Sequence, residues 1–285
     1  RARELKDGKI DKKEEAKKAD QDESSGEDKK KVDRNAPLLP QLQDKFQASQ
    51  SYGLDKINFS IFSSLYSNIE AVAFVLLGFY PYVWDLSCDF GARWGWTEVD
   101  NEIKISLIFV AVTTVIGIVT HLPFELYSTF EIERKHGFNK QTIGLFVTDK
   151  IKSLCLMAVI GGPVTATLLK IIKMGGERFY LYVWGFMFVF SVIMMTIVPV
   201  FIMPLFNKYE PLPDGSLKDQ IFQLAGRLEF PLTKLFVVDG SKRSSHSNAY
   251  MFGFRKNKRI VLFDTLLDQV HDDEILAILG HELGE

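Results

Sequence analysis

The sequence predicts a mostly α-helical, polytopic membrane protein that ends in a smaller α+β domain. Three observations predict it. Charge is segregated: residues 1–34 hold twelve Lys/Arg and eleven Asp/Glu with almost no large apolar side chain, although the whole chain of 285 residues nets only −2. Four long apolar stretches then follow within about 150 residues. Beyond residue 206 the pattern changes again, to short β-type segments between turn residues. The near-zero net charge points to no nucleic-acid partner.

Residues 1–34 read as a solvated, disordered segment or a loose polar helix. Pairs such as Glu14–Lys18 support a helix, but no apolar face exists to pack. APLLPQ (36–41) reads as a linker with a helix break on either side, so residues 1–50 form one region. The chain begins with Arg1 and shows no apolar leader, and both ends read as cuts.

The apolar stretches are 59–84, 105–124, 153–169 and 179–206, within a helical region 51–206. A bilayer core of about 30 Å needs ~20 apolar residues of helix, and three of the four meet that length. Tyr80, Tyr82, Trp84, Phe179, Tyr180, Tyr182 and Trp184 crowd their ends, as interfacial aromatic belts do. Lys/Arg counts place the N-terminal segment, the 125–152 loop and the C-terminal domain together on the cytosolic side. Cys88 and Cys155 offer neither a disulfide framework nor a metal pair. Lys170 and Lys173 snorkel to the head groups.

In 207–285, PLPDGS (211–216) is a turn and 217–228 an amphipathic helix. Segment 234–241 is a strand. Segments 248–254 and 258–267 are two further strands joined by RKNK. HDDEILAILGHELGE (271–285) is a helix with an acidic first turn and apolar Ile275, Ile278 and Leu279 at helical spacing.

That last helix carries the chemistry. His-Glu-x-x opens a zinc-protease motif in which two histidines four apart share one helix face and bind Zn²⁺. Glu282 is then the base that takes a proton from metal-bound water. The second histidine position holds Glu285 instead. By chance alone His-Glu-x-x-Glu is a polar surface turn. The preceding strands change that weighing, because an edge strand there takes up an extended substrate by backbone pairing.

SKRSSHSNAYMFGFRKNKRIVLFDTLL followed by ILGHELG, together with FEIERKHGFNKQT (130–142) and PLFNKYEPLPDG (204–215), resembles the integral-membrane CAAX prenyl proteases of the zinc metalloprotease type. Animal members process farnesylated precursors such as prelamin A. The resemblance runs from about Tyr52 to Gly284. It implies a gluzincin-like α+β domain, here cut off within its active-site helix. It also implies spanning helices around a large chamber in the endoplasmic reticulum and inner nuclear membranes. The reaction it implies is removal of the C-terminal tripeptide from prenylated CAAX proteins, with a possible second upstream cut. His281 matches the first zinc ligand and Glu282 the catalytic base, while Glu285 occupies the second-histidine position. Ser247, Asn248, Ala249 and Tyr250 match the segment bordering the substrate cleft. The family's first spanning helix and its distant glutamate ligand are absent, as is nearly all of an insertion before the zinc helix. The chain as written is therefore expected to be an incomplete, inactive form.

Other polar residues have blander readings. His121 and Glu125 are four apart with Pro123 between them, and read as interfacial caps or snorkelling groups rather than metal ligands. Glu70, inside the first apolar run, reads as a residue facing a water-filled chamber. His136 reads as structural, and His246 as a candidate substrate contact. Two rivals follow. One is a catalytically dead membrane scaffold that binds prenylated peptides. The other is a transporter suggested by Glu70 and His121, which leaves the β-ribbon without a purpose.

Overall fold

The computed structural model describes residues 37–254 and 257–284. The expectations for residues 1–34, for Glu285 and for the tip of the RKNK turn at residues 255–256 lie outside the described residues. Among the described residues five helical segments come first: α1 Leu38–Leu76, α2 Phe79–Ala92, α3 Glu102–Lys135, α4 Ile143–Met174 and α5 Gly176–Phe206. The C-terminal part follows: β1 Tyr209–Pro211, α6 Ser216–Arg227, β2 Leu232–Val238, β3 Ala249–Phe254, β4 Asn257–Phe263, α7 Asp264–Gln269 and α8 Asp272–Gly284.

Four of these helices (α1, α3, α4 and α5) are long and apolar enough to cross a membrane. Their apolar side chains face outward: Leu65, Val72, Val119, Val159, Phe188 and Val192 are all exposed. Apolar faces of that extent mark a lipid or protein contact surface.

The linker expected at 36–41 is a correction. Helix α1 starts at Leu38 and runs through Pro40 without a break. Pro40 stands in the first turn, where a backbone N–H has no intrahelical partner to lose, so proline is tolerated there.

The first apolar stretch is not one straight helix either. It breaks at Leu77–Gly78, where Gly78 takes φ +66°. Going up the chain, Tyr52 meets Glu133, Phe59 meets Tyr127, Phe62 meets Phe124 and Ser67 meets His121. Trp84 then meets Phe109, and Gly91 lies against Ile105. The partners on α3 descend without reversal. Thus α1 and α2 run in the same direction along α3 as a single span, kinked where the left-handed glycine interrupts it.

The expected loop at 125–152 is mostly helix. Helix α3 continues past Pro123 to Lys135, and α4 begins at Ile143, where the Thr142 hydroxyl accepts a hydrogen bond from the Leu145 N–H (3.2 Å). Each of α3, α4 and α5 contains a wider π turn, at Ser128–Ile132, Met157–Gly161 and Val198–Ile202. Pro163 follows the second and Pro199 lies in the third, and each proline removes one helical hydrogen bond that a wider turn accommodates.

The sheet has order β1-β2-β4-β3. β1 pairs antiparallel with β2, β2 parallel with β4, and β3 antiparallel with β4. The segment expected as a strand over 258–267 turns into α7 at Asp264, whose carboxylate accepts hydrogen bonds from Ser241 and from its neighbour Thr265. One face of the sheet is covered by α6, α7 and α8, with Ile221, Leu235, Ile260, Leu262, Leu266, Ile275 and Leu279 forming the core. Leu279 is 1% exposed. Leu279→Ala is expected to cost about 2–5 kcal/mol, read as a lower thermal midpoint in detergent-solubilised protein.

Candidate active site

α8 packs beneath β3 and beside α6. Its N-terminus is held by the Glu274 carboxylate, which accepts a hydrogen bond from the His271 N–H (2.8 Å), and Asp272, Asp273 and Glu274 complement the helix dipole. Ile275 and Leu279 fasten one face of α8 to the core. That pins the rotation of the helix and leaves His281 exposed and Glu282 partly buried. Glu285, expected at the second-ligand position, lies outside the described residues. Among the described residues no group of three His, Cys, Asp or Glu comes together to hold a metal ion. His281 and Glu282 therefore supply one imidazole donor and one carboxylate. They fit the start of a zinc-protease centre and do not complete a ligand set.

β3 is the last strand of the sheet, so its outer edge is unpaired among the described residues. The four residues expected along the cleft are differently placed. Ser247 and Asn248 are exposed where the strand begins. Asn248 is fixed there: its backbone carbonyl accepts from the Phe263 N–H (3.0 Å), and its side-chain oxygen from the Ala249 N–H (2.8 Å). Ala249 points into the core opposite Leu262. Tyr250 points to the other face, as strand alternation requires, and its hydroxyl lies 3.0 Å from the Tyr209 hydroxyl. Burial first, and then that hydrogen bond, push the Tyr250 phenol well above the usual tyrosine range.

Gly253 takes φ +133°, and a Cβ there would meet the Asn257 carbonyl oxygen at 2.0 Å. Gly253→Ala is expected to strain the hairpin by about 1–3 kcal/mol, seen as faster amide exchange along β3 and β4.

The segment before β3 is tied to the membrane helices. Arg243 donates to both carboxylate oxygens of Asp149 on α4 (2.8 and 3.0 Å), to the Asn207 side chain (2.5 Å) and to the Phe206 carbonyl (2.7 Å). The Ser245 N–H donates to the Phe138 carbonyl (3.0 Å), and the Ser245 hydroxyl to the Gly137 carbonyl (3.2 Å). The His246 ring stacks on Phe138 at 4.2 Å and lies 3.3 Å from Glu133. Residues 130–142 and 241–249, over a hundred positions apart, thus form one junction. His136, expected to be structural, holds Asp55 of α1 at 2.8 Å. Arg243, Asp149, Glu133 and Tyr52 were not singled out from sequence. Glu133 and Arg243 lie in the stretches 130–142 and 241–267 that carry the resemblance, but membership of a stretch does not reveal a partner.

His121 and Glu125 do not act as a pair. Helix α3 does not end near them, so neither is a cap. His121 turns to Ser67 (3.2 Å) and Glu70 (3.7 Å) on α1, while Glu125 pairs with Lys150 on α4. Both are interhelical contacts, and Glu70 has Tyr66 and His121 as neighbours.

Comparison with known proteins adds the following. A family model described as CAAX prenyl protease N-terminal, five membrane helices, matches residues 38–208, and the peptidase family M48 model matches residues 211–284. A curated CAAX prenyl protease 1 homolog of Arabidopsis thaliana is 50% identical over 255 residues, covering 87% of this chain and 60% of that protein. The Homo sapiens homolog is 44% identical over 287 residues, with coverage of 87% and 60%. The crystal structure of S. mikatae Ste24p superposes with a TM-score of 0.80 at 44% identity, covering 88% of this chain and 59% of that one. The chain spans about 60% of the length of these relatives.

Proposed function

Because the chain belongs to the CAAX prenyl protease family, with its membrane-helical N-terminal region and M48 peptidase domain, we propose that the protein is a zinc-dependent endopeptidase of prenylated substrates. It removes the C-terminal tripeptide from CAAX proteins and can make a second cut upstream. The observation that carries this reading is the placement of His281 and Glu282 on a core-anchored helix beneath an open edge strand. In this reading residues 51–206 form the membrane region and 207–285 part of the protease domain. The proposed location is the endoplasmic reticulum membrane and the inner nuclear membrane.

His281 would hold the zinc as its first ligand, and the remaining ligands would lie outside the described residues. Bound zinc would supply a water of lowered pKa and polarise the scissile carbonyl. Glu282 would serve as the general base, accepting a proton from the attacking water and passing it to the leaving amine. The peptide adds to the outer edge of β3 as an extended strand, with Ser247 and Asn248 at its start. The prenyl chain lies among the apolar walls of the membrane region. A cleft of about 660 Å³ between α1 and α3 has Phe59, Phe62, Phe124 and Tyr127 as apolar wall, alongside the polar Asp55, Glu131 and Lys135.

The test is mass spectrometry of a farnesylated CAAX peptide incubated with the full-length protein in liposomes. Release of the tripeptide, lost with a zinc chelator and restored by zinc, is expected. Binding of the farnesylated peptide without any metal-dependent cleavage would instead support the scaffold reading.

A further inference from the structure

We propose that Glu133 and His246 are positioning residues, through which the membrane helices set where the substrate strand begins. This rests on the reading of β3 as that strand. Glu133, on the last turn of α3, divides its carboxylate between two elements. Oε1 accepts the Tyr52 hydroxyl of α1 (2.6 Å), with the Lys56 ammonium at 3.7 Å. Oε2 faces His246 Nε2 at 3.3 Å. The His246 ring is held nearly parallel to that of Phe138 by stacking, and the ring of Tyr52 stands 6.1 Å away. The His246 backbone carbonyl accepts the Thr265 hydroxyl (3.0 Å), and the preceding Ser245 carbonyl accepts the Gln269 side-chain amide (2.7 Å). Both donors belong to α7, which leads into α8.

His246 is therefore a hinge point with the membrane helices on one side and the active-site elements on the other. The exposed residues Ser247 and Asn248 follow it directly, and then the open edge of β3. The Glu133–His246 contact, with Tyr52 beside it, joins α1, α3 and the approach to β3.

The magnitudes separate positioning from ordinary stabilisation. The His246 side chain is 49% exposed and that of Glu133 21%, and polar pairs at such a solvated junction contribute little to stability. A displacement of about 1 Å at a reacting group can nevertheless cost about 10²-fold in rate. The pair should therefore matter far more to turnover than to folding.

The experiment uses the full-length protein in liposomes, with Glu133→Ala, His246→Ala, the double variant and Glu133→Gln. It measures kcat and KM on a farnesylated peptide, zinc content, thermal midpoint and amide exchange over 246–251. Expected for both Ala variants is a fall in kcat/KM of about 10- to 100-fold with a raised KM and faster exchange, at unchanged zinc content and midpoint. The double variant should be no worse than either single change, because the two side chains act as one unit. Glu133→Gln, which keeps an acceptor for Tyr52 and a polar group for His246, should recover most of the loss. Unchanged kinetics and exchange in the Ala variants would overturn the proposal. So would a loss that comes with lower zinc content or a lower midpoint, since that is a structural role. If the unmodified protein shows no metal-dependent cleavage, the protease reading has failed, and the exchange measurement alone decides the coupling between α3 and β3.

Discussion

Glu282→Gln in the full-length protein is expected to lower kcat for tripeptide release by about 10²–10⁴-fold, the usual contribution of a positioned general base. The carboxamide has nearly the same shape but cannot accept the proton. Glu282 lies on the helix beside the donor His281, and its neighbours Ile275 and Leu279 anchor the helix through the core. The fold should therefore survive, with an unchanged thermal midpoint. Zinc content should survive too, since Glu282 is proposed as base and not as ligand. KM for the farnesylated peptide should change little, because strand pairing to β3 does not involve this side chain. Retention of more than a tenth of the activity would remove Glu282 from the role of base. Loss of zinc along with activity would recast it as a ligand.

Arg243→Met should produce the second-largest effect, in stability and in the joint between the two regions. The guanidinium makes a two-bonded pair with Asp149 and also holds Asn207 and the Phe206 carbonyl, where α5 leaves for β1. Removing it leaves the Asp149 carboxylate, 16% exposed, without its cation. The expected cost is about 2–3 kcal/mol, below the ~3–5 kcal/mol of a wholly buried pair because water reaches both partners. Limited proteolysis should then cut the 239–248 segment, and the thermal midpoint should fall. Adding Asp149→Asn to Arg243→Met should restore part of the loss, since no uncompensated charge remains. No recovery in the double variant would mean that the contacts to Asn207 and Phe206 carry the effect.

The legible parts of this protein were those whose physics is local. Four apolar stretches identified four crossing helices because burial in lipid requires length and apolarity, which one stretch shows by itself. The helix of His281 was legible from its acidic first turn and from Ile275 and Leu279 at helical spacing. The strand over 249–254 was legible from its β-type residues and the RKNK turn that follows it in the sequence. What failed locally failed for identifiable reasons. Pro40 resembled a helix breaker because its position in a first turn depends on where the helix starts. The 258–267 segment resembled one strand because β-type and helical apolar runs of that length look alike. The Asp264 contacts that begin α7 come from Ser241 and Thr265, and the first of these is far away in sequence.

The sequence by itself determined the membrane class, the order of the two regions and the residue types available for chemistry, because period, length and motif spacing are properties of one segment at a time. Only the tertiary structure decided which of those residues meet. Glu70 and Ser67 meet His121 because α1 runs antiparallel to α3. Trp84 continues the same span because Gly78 kinks it instead of reversing it. Glu133 and Asp149 meet His246 and Arg243 because the ends of α3 and α4 lie on the same side as the C-terminal domain. Hydrogen bonds and ion pairs act over about 3–4 Å. A partner a hundred residues away is therefore invisible until the helices and the sheet have taken their places.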